Sequence, residues 1–223
     1  MTFNPRYAWL AARLRLPHLP SPMASFGGVT FSVEPEHYQL RGVLKQLAIQ
    51  PVLARLLALC DQETLFVDIG ANIGLFSLLI ASQTGAKVLA FEPVRSTFQA
   101  LVRNCSHNRH LNVAPLNLAL GSASTAVEIT ALPGSGINQV VSARERQGVP
   151  RQWAPQLLLD QLLIEYLINL NHKTVIKIDV ERYEFEVLEG ARQILSANLP
   201  IALCVEIDPG DRKRLEDRLR PVF

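Results

Sequence analysis

Short apolar runs alternate with longer amphipathic stretches from Leu65 onward. The short runs are typical of strands buried on both faces, and the longer stretches repeat their apolar residues at helical spacing. The pattern predicts strands over 65–69, 87–91, 112–118, 174–179 and 200–207. It predicts helices over 73–83, 95–108, 183–196 and 211–219. Strand and helix alternating in this way indicate an α/β fold with a doubly wound, mostly parallel sheet.

Two regions depart from this alternation. Residues 1–60 contain several prolines and a Gly-Gly pair, and they predict an N-terminal extension to a main domain over 61–223. Its predicted elements are a helix over 6–16, a short strand or hairpin near 28–33 and a helix over 40–59. The interval 121–173 is rich in glycine and proline and predicts only a short strand at 126–131 and a helix at 157–170. A loop of this length could be a substrate lid or an inert insertion.

The run from Phe66 to Phe76 carries the first chemical signal. An apolar strand reaches Asp68 and then turns through Gly70 and Gly74 into an apolar helix. Glycines let the backbone approach a ligand closely, and the free N–H groups of a first helical turn favour an anionic group. The run therefore predicts a nucleotide-binding turn, although a tight turn that binds nothing would have the same pattern. The glycines do not form G-x-G-x-x-G, which argues against a nicotinamide dinucleotide.

The next predicted strand ends in Glu92 and Pro93, about twenty residues after the glycine turn. A carboxylate in this position can accept hydrogen bonds from both hydroxyls of a ribose. The alternative is a solvated acid at a strand end. Pro93 sets the direction of the chain into the following helix, whose buried face is predicted from helical spacing. That face contains Phe98, Leu101, Val102 and Cys105.

Composition narrows the choice of partners. A formal net charge of +2 is too small to indicate nucleic acid or an anionic membrane as a partner. The three cysteines, Cys60, Cys105 and Cys204, are widely spaced in apolar surroundings and are interpreted as buried thiols in a reducing compartment. No metal site and no membrane span are expected. The arginine-interrupted N-terminus does not resemble a signal peptide, so a cytoplasmic enzyme is expected.

The segment over 175–191 reads V-I-K-I-D-V-E-R-Y-E-F-E-V-L-E-G-A. It resembles the hallmark of the FkbM family of methyltransferases, K-I-D-V-E-G, followed by an acid two residues on and then V-L-x-G-A. Five further segments extend the resemblance over about residues 64–208. They are the turn over 66–74, Ala90 to Pro93, Asn117 to Gly121, Leu159 with Asp160, and the late strand that ends near Glu206.

This resemblance implies a Rossmann-like class I sheet, S-adenosylmethionine as methyl donor, and a hydroxyl of a small molecule or glycan as acceptor. It also implies that residues 1–60 cover the substrate side of the sheet. Asp68 would help to hold the methionine portion of the donor or would cap the turn, and Asn72 would contact the donor or cap the helix. The implied donor-binding residues are Asp68, Gly70, Ala71, Asn72, Gly74, Glu92, Pro93, Asn117 and Ala119.

Burying ionisable side chains at the end of the strand over 174–179 costs free energy unless they are paired, so they are expected to be paired or functional. Asp179 and Glu181 are the catalytic candidates, one as general base for an acceptor hydroxyl and the other to orient that hydroxyl. Alternatively, they form a structural ion-pair network with Lys177. Glu206, at the end of the next strand, is a second-rank candidate.

Two features depart from the family pattern. Arg182 stands where the family has glycine, and if that glycine has a positive φ the arginine costs about 1–2 kcal/mol. Only five of the seven strands of a class I sheet are predicted, so the final C-terminal hairpin is expected to be missing. The sheet edge would then be covered by a partner, a second copy or the N-terminal segment. These departures favour an alternative function, a catalytically impaired domain that binds the donor or assists assembly.

Overall fold

The structure, a computed structural model, describes residues 23–32, 50–132, 138–141, 148–170 and 173–220. The predicted helix over 6–16 and the first part of the predicted helix over 40–59 lie outside these described residues. Within them, no helix is both long and apolar enough to cross a bilayer.

The described strands are β1 (Met23–Phe26), β2 (Val29–Ser32), β3 (Leu65–Ile69), β4 (Lys87–Phe91), β5 (Val113–Leu116), β6 (Ala119–Leu120), β7 (Thr125–Thr130), β8 (Arg151–Leu157), β9 (Thr174–Ile178) and β10 (Ile201–Val205). The described helices are α1 (Gln50–Leu59), α2 (Leu75–Thr84), α3 (Arg95–His107), α4 (Leu159–Leu170), α5 (Glu184–Glu189), α6 (Arg192–Ser196) and α7 (Arg212–Leu219), with a 3-10 turn at Pro209–Asp211.

Five of these strands form one sheet in the order β10-β9-β3-β4-β5, and all of its pairings are parallel. This confirms the predicted doubly wound, mostly parallel sheet. From β3 the chain proceeds to β4 and β5 on one side, whereas β9 and β10 lie on the other. The strand order thus reverses between β3 and β9, and ligands of open α/β sheets bind at the carboxyl end of such a reversal.

The pleat of β3 distributes its side chains between two cores. Leu65, Val67 and Ile69 pack in a cluster with apolar residues of α4, α5, α6 and α7. Phe66 packs on the opposite face, in a cluster with residues of α1, α2 and α3. Helices therefore cover both faces of the sheet, and polar residues of β3 and β9 must be satisfied inside the protein.

A second, three-stranded sheet occupies part of the interval that was predicted to be largely irregular. Its order is β6-β8-β7, and the predicted strand at 126–131 is confirmed as β7. The strand β8 was not predicted, because Pro155 argues against a strand. In the structure Pro155 pairs with Ala126 on one side, whereas the parallel pairing on the other side begins only at Gln156. At Pro155 the strand therefore has one partner, and the missing N–H is tolerated.

The single helix predicted over 183–196 is broken into α5 and α6. A Cβ on Gly190 would lie 2.0 Å from the carbonyl oxygen of Gly121, so the chain passes too close for any side chain. The Asp160 carboxylate accepts hydrogen bonds from the N–H groups of Gln193 and Ile194, each at 2.9 Å, at the start of α6. Asp160 thus caps a helix that starts in a distant part of the sequence.

The strands β1 and β2 form the hairpin predicted near 28–33. Val29 and Phe31 are buried against Leu75, Leu78 and Leu79 of α2. Of the face predicted for the neighbouring helix α3, Leu101 is buried, and Phe98 and Cys105 are partly buried against the same core cluster. Val102 was wrongly included in that face, since it is 39% exposed. The buried face of α3 contains Thr97, Ala100, Leu101 and Asn104.

Candidate donor and acceptor site

The turn between β3 and α2 lies tightly between β4 and the end of β9. Gly70, Asn72 and Gly74 have φ values of 80°, 52° and 87°. The N–H groups of Gly70 and Ala71 donate to the carbonyl oxygen of Phe91 at 3.0 and 2.9 Å. A Cβ on Gly70 would lie 1.8 Å from the backbone oxygen of Asp179. The turn therefore requires glycine at this position, and its backbone lies at the carboxyl edge of the sheet.

The carboxylate of Glu92 is held beside this turn by backbone N–H groups. Oε2 accepts from Asn72 N at 3.0 Å and Oε1 accepts from Val94 N at 2.9 Å. Glu92 is only 6% exposed, which excludes a solvated acid at a strand end. Burial raises its pKa to about 7, although these two N–H groups oppose the shift. Each carboxylate oxygen can accept a second hydrogen bond, so the group fits a diol such as that of ribose.

Two side-chain amides hold the chain as it leaves Glu92. Asn117 Nδ2 donates to the carbonyl oxygens of Glu92 at 2.8 Å and Pro93 at 3.2 Å. Gln152 of β8 donates to Pro93 O at 3.0 Å and accepts from Arg95 N at 3.2 Å. Sequence reasoning missed Gln152 because its strand was not predicted. The predicted donor residue Ala119 is buried in β6, which pairs with β8.

A buried ion-pair network lies behind the turn. Asp68 and Lys177 are register partners on β3 and β9. Lys177 Nζ lies 3.3 Å from Asp68 Oδ1, 3.1 Å from Asp179 Oδ2 and 5.0 Å from the centre of the Phe76 ring. Asp68 Oδ2 accepts a hydrogen bond from Ser77 at 2.6 Å. Burial alone would lower the pKa of Lys177, but the two carboxylates outweigh it and raise that pKa.

This arrangement places Asp68, which is fully buried, against Ser77 and Lys177 rather than against the N–H groups of the turn. Ser77 was not among the predicted site residues. Its signal in the sequence is a hydroxyl in the first turn of α2, among the apolar residues of the buried run 75–81, where an unpaired polar group would be costly.

Carboxylates crowd the neighbouring ends of β9 and β10. The pKa of Glu181 is raised to about 7, first by burial and then by the charges of nearby acids. The pKa of Glu206 is raised by the charge of Asp179 and by burial. The acids that raise the pKa of Glu181 are Asp179, Glu206, Glu184 and Asp208. Repulsion between neighbouring carboxylates disfavours the ionisation of all of them at once. This cluster can therefore retain a proton.

The residue after Glu181 has the backbone conformation that was predicted to be costly. Glu181 and Arg182 have φ values of 54° and 74°. Arg182 N donates to Glu184 Oε1 at 3.1 Å, and Arg182 Nε lies 3.4 Å from Asp208 Oδ2. The family has glycine at this position, and the backbone here has the positive φ that favours glycine. The arginine therefore costs about 1–2 kcal/mol of stability. Its guanidinium is an exposed cation among the acids.

The predicted site residues converge at this edge. The Gly70 turn contacts Asp179, Glu92 bonds to the turn, and the charges of Asp68 and Lys177 act on the pKa of Glu92. Residues 68–218 match the model of the methyltransferase FkbM domain. The chain belongs to the FkbM methyltransferase family.

Two relatives of this FkbM chain that are named as methyltransferases match it at modest identity. It is 29% identical over 171 residues to hexuronic acid methyltransferase AglP of Haloferax volcanii, covering 74% of this chain and 66% of that protein. It is 31% identical over 152 residues to methyltransferase sdnD of Sordaria araneosa, covering 56% of this chain and 59% of that protein. The chain thus spans two thirds or less of the length of these relatives. No solved structure matches it.

Proposed function

We propose that this chain uses S-adenosylmethionine to methylate a hydroxyl oxygen of a small molecule or glycan. The observation that carries the proposal is the contact between two halves of the site, where the glycine turn meets the backbone of Asp179. When bound, S-adenosylmethionine supplies a methyl group on a sulfonium, which is already activated for displacement. The protein has to hold the donor, orient the acceptor and accept a proton.

We assign donor binding to the turn and to Glu92. The backbone of Gly70, Ala71, Asn72 and Gly74 allows close approach of the donor, and Glu92 offers its remaining acceptor positions to the ribose. Asp68 is fully buried, so we assign it to fixing Lys177 rather than to direct contact.

Other donor-side residues have supporting roles. Pro93 and Asn117 set the exit of β4, because the Asn117 amide bonds to the carbonyl groups of Glu92 and Pro93. Ala119, a small buried residue of β6, would act through its backbone beside the adenine.

On the acceptor side we assign the general base to Glu181. A base works best when its pKa lies near the operating pH, and the pKa of Glu181 is about 7. Asp179 is bound to Lys177 at 3.1 Å, so we assign it to orienting the acceptor hydroxyl. The proton would pass from that hydroxyl to Glu181. Alignment supplies much of the rate of a displacement, so Glu181→Gln should lower kcat by about a hundredfold at most.

The nature of the acceptor follows from charge and from one relative. AglP is a hexuronic acid methyltransferase, which supports a sugar as acceptor. In this chain the cluster around Glu181 is acidic, and Arg182 is its exposed cation. An acceptor screen should therefore pair neutral glycosides with the corresponding uronic acids. Turnover of the neutral member alone would indicate repulsion by the acids, and preference for the acid would indicate pairing with Arg182.

Donor binding is tested by thermal unfolding with and without S-adenosylmethionine. At one hundred times its Kd the donor adds about 2.7 kcal/mol, which should raise Tm by roughly 5–10 °C for a chain of this size. Glu92→Ala should abolish the rise, and NAD should produce none. A cooperative melt that S-adenosylmethionine leaves unchanged would overturn the proposal, and a rise with NAD would support a dehydrogenase.

The strained arginine favours one alternative, a domain that binds the donor without turnover. Arg182 has a φ of 74° beside the candidate base, and it could hold the acids in an inactive arrangement. Labelled methyl transfer by the native chain and by Arg182→Gly separates the two functions. Binding without transfer in the native chain, with transfer restored by Arg182→Gly, would establish the impaired domain.

A further inference from the structure

Two buried asparagines, one in α3 and one directly after its end, bind the hairpin formed by β1 and β2. Asn104 and Asn108 are 1% and 2% exposed, and neither belongs to the site described above. Asn108 Oδ1 accepts from Thr30 N at 3.0 Å, and its Nδ2 donates to Thr30 O at 2.7 Å. The amide of Asn108 thus pairs with β2 as another strand would, which holds the hairpin against α3.

Asn104 makes a different pair of bonds. Its Oδ1 accepts from Ser32 N of the hairpin at 2.8 Å, and its Nδ2 donates to the carbonyl oxygen of Ile73 at 2.8 Å. Ile73 lies between Asn72 and Gly74 in the glycine turn. One buried amide therefore bridges the hairpin and the turn that approaches the donor.

The bond to Ile73 restrains a turn that contains one strained residue. It fixes the peptide plane between Ile73 and Gly74, and the preceding residue, Asn72, has a φ of 52°. A non-glycine residue keeps such a conformation only when surrounding contacts hold it. Asn72 N is also the group that donates to Glu92. The bond from Asn104 therefore restrains the turn beside the N–H group that holds the carboxylate assigned to the ribose.

We propose that Asn104 is a positioning residue for donor binding and that the hairpin sets donor affinity through it. The inference rests on the proposed function, because the turn is taken to hold S-adenosylmethionine. Asn104 itself touches neither donor nor acceptor. If its amide is removed, both Ile73 O and Ser32 N lose a buried partner, and the turn is free to take other orientations.

Asn108 provides a matched control. Asn104→Ser and Asn108→Ser each remove a buried amide that binds β2, but only Asn104→Ser removes the bond to the turn. Isothermal titration should show S-adenosylmethionine bound at least tenfold more weakly by Asn104→Ser and no more than about threefold more weakly by Asn108→Ser. Equal weakening by the two variants, at equal loss of Tm, would overturn the proposal.

Hydrogen exchange tests the same coupling without a ligand. In the free protein, Asn104→Ser should speed exchange at the amides of Asn72 and Gly74, and Asn108→Ser should leave them at the native rate. Unchanged exchange at both amides in Asn104→Ser would overturn the inference even if S-adenosylmethionine proved not to bind. That failure of binding would be seen separately in the native chain.

The native chain also provides a test that needs no variant. Coupling between two sites is reciprocal, so a donor that orders the turn should slow exchange at Ser32 N. Exchange at Thr30 N, which donates to Asn108, should change less. Saturating S-adenosylmethionine that leaves Ser32 N unaffected would contradict the bridge.

Discussion

The donor and acceptor sides of the site use opposite means to hold carboxylates. On the donor side, Glu92 is buried and both of its oxygens accept hydrogen bonds from backbone N–H groups. On the acceptor side, Glu181 is half-buried and its pKa is raised by several neighbouring acids. The donor side has positive φ at two glycines and at Asn72, whereas the acceptor side has it at Glu181 and Arg182.

This difference indicates how each side works. Substitutions do not remove backbone N–H and C=O groups. The geometry of the donor side, which is built from such groups, therefore depends on where the strands end. The acceptor side depends on side-chain charges and on a strained turn, which a few substitutions can alter. Under the proposed function, the fold itself would fix recognition of the donor, and substitutions could change recognition of the acceptor.

The largest effect is expected from Gly70→Ala. The new Cβ would meet the backbone oxygen of Asp179 at 1.8 Å, and backbone atoms cannot move aside as a side chain does. We expect a loss of more than about 4 kcal/mol in the free energy of unfolding, measured by urea denaturation. Gly148→Ala is the control, because Gly148 has a φ of 89° but no atom within 4 Å of the new Cβ. It should lose only about 1 kcal/mol. Equal losses would contradict the close contact.

Lys177→Met tests the network that joins the two sides. It leaves Asp68 and Asp179 without their buried cation, and removing one partner of such a network costs about 3–5 kcal/mol. Urea denaturation at pH 7 measures the loss. The double variant Lys177→Met/Asp68→Leu should recover a substantial part of it, since the most deeply buried unpaired charge is then gone. A double variant less stable than the single one would show that the network is not the source of the loss.

The pH dependence of donor affinity distinguishes Glu92 from Glu181. Ribose hydroxyls donate to an ionised carboxylate, so the donor favours loss of the Glu92 proton. With a pKa of about 7 in the free protein, affinity should rise about tenfold between pH 6 and pH 8. Titration calorimetry in buffers of different ionisation enthalpy should show proton release. Glu92→Gln should remove the pH dependence and Glu181→Gln should keep it. If Glu181→Gln removes the pH dependence and Glu92→Gln keeps it, the titrating proton belongs to Glu181 on the acceptor side.

The smallest effect is expected at the strained arginine. Arg182→Gly relieves a φ of 74° and loses an exposed ion pair with Asp208, so we expect a net gain of about 0.5–1 kcal/mol. Arg182→Ala loses the same ion pair and keeps the strain, and it should be slightly less stable than the native chain. The difference between the two variants in urea isolates the backbone cost. Equal stabilities would show that the turn relaxes.

Local patterns were sufficient to predict the parallel sheet, the glycine turn and the position of Glu92. A buried strand followed by glycines and an apolar helix has a short-range signature, and parallel pairing brings successive strand ends to one edge. The acids after β9 were also predicted from sequence, because charges at the end of an apolar strand are conspicuous.

The features that were missed depend on distant partners. Pro155 is tolerated because β6 begins to pair only beyond it, and the need for glycine at position 190 depends on the carbonyl group of Gly121. The burial of Asn104 depends on the backbone of the hairpin. Nothing in the neighbouring residues indicates these contacts, so periodicity placed Val102 on the buried face of α3 and joined α5 to α6.

The register pairing of Asp68 with Lys177 also has a consequence for biosynthesis. These residues are neighbours in the central sheet, yet more than a hundred residues separate them along the chain. On the ribosome, β3, β4 and β5 emerge first, and the acid of β3 has no cation until β9 arrives. The strand β9 therefore pairs beside β3 only after β4 and β5 have been made, and such long-range closure is slow. A nascent chain that stops before β9 would be a target for chaperones and proteases.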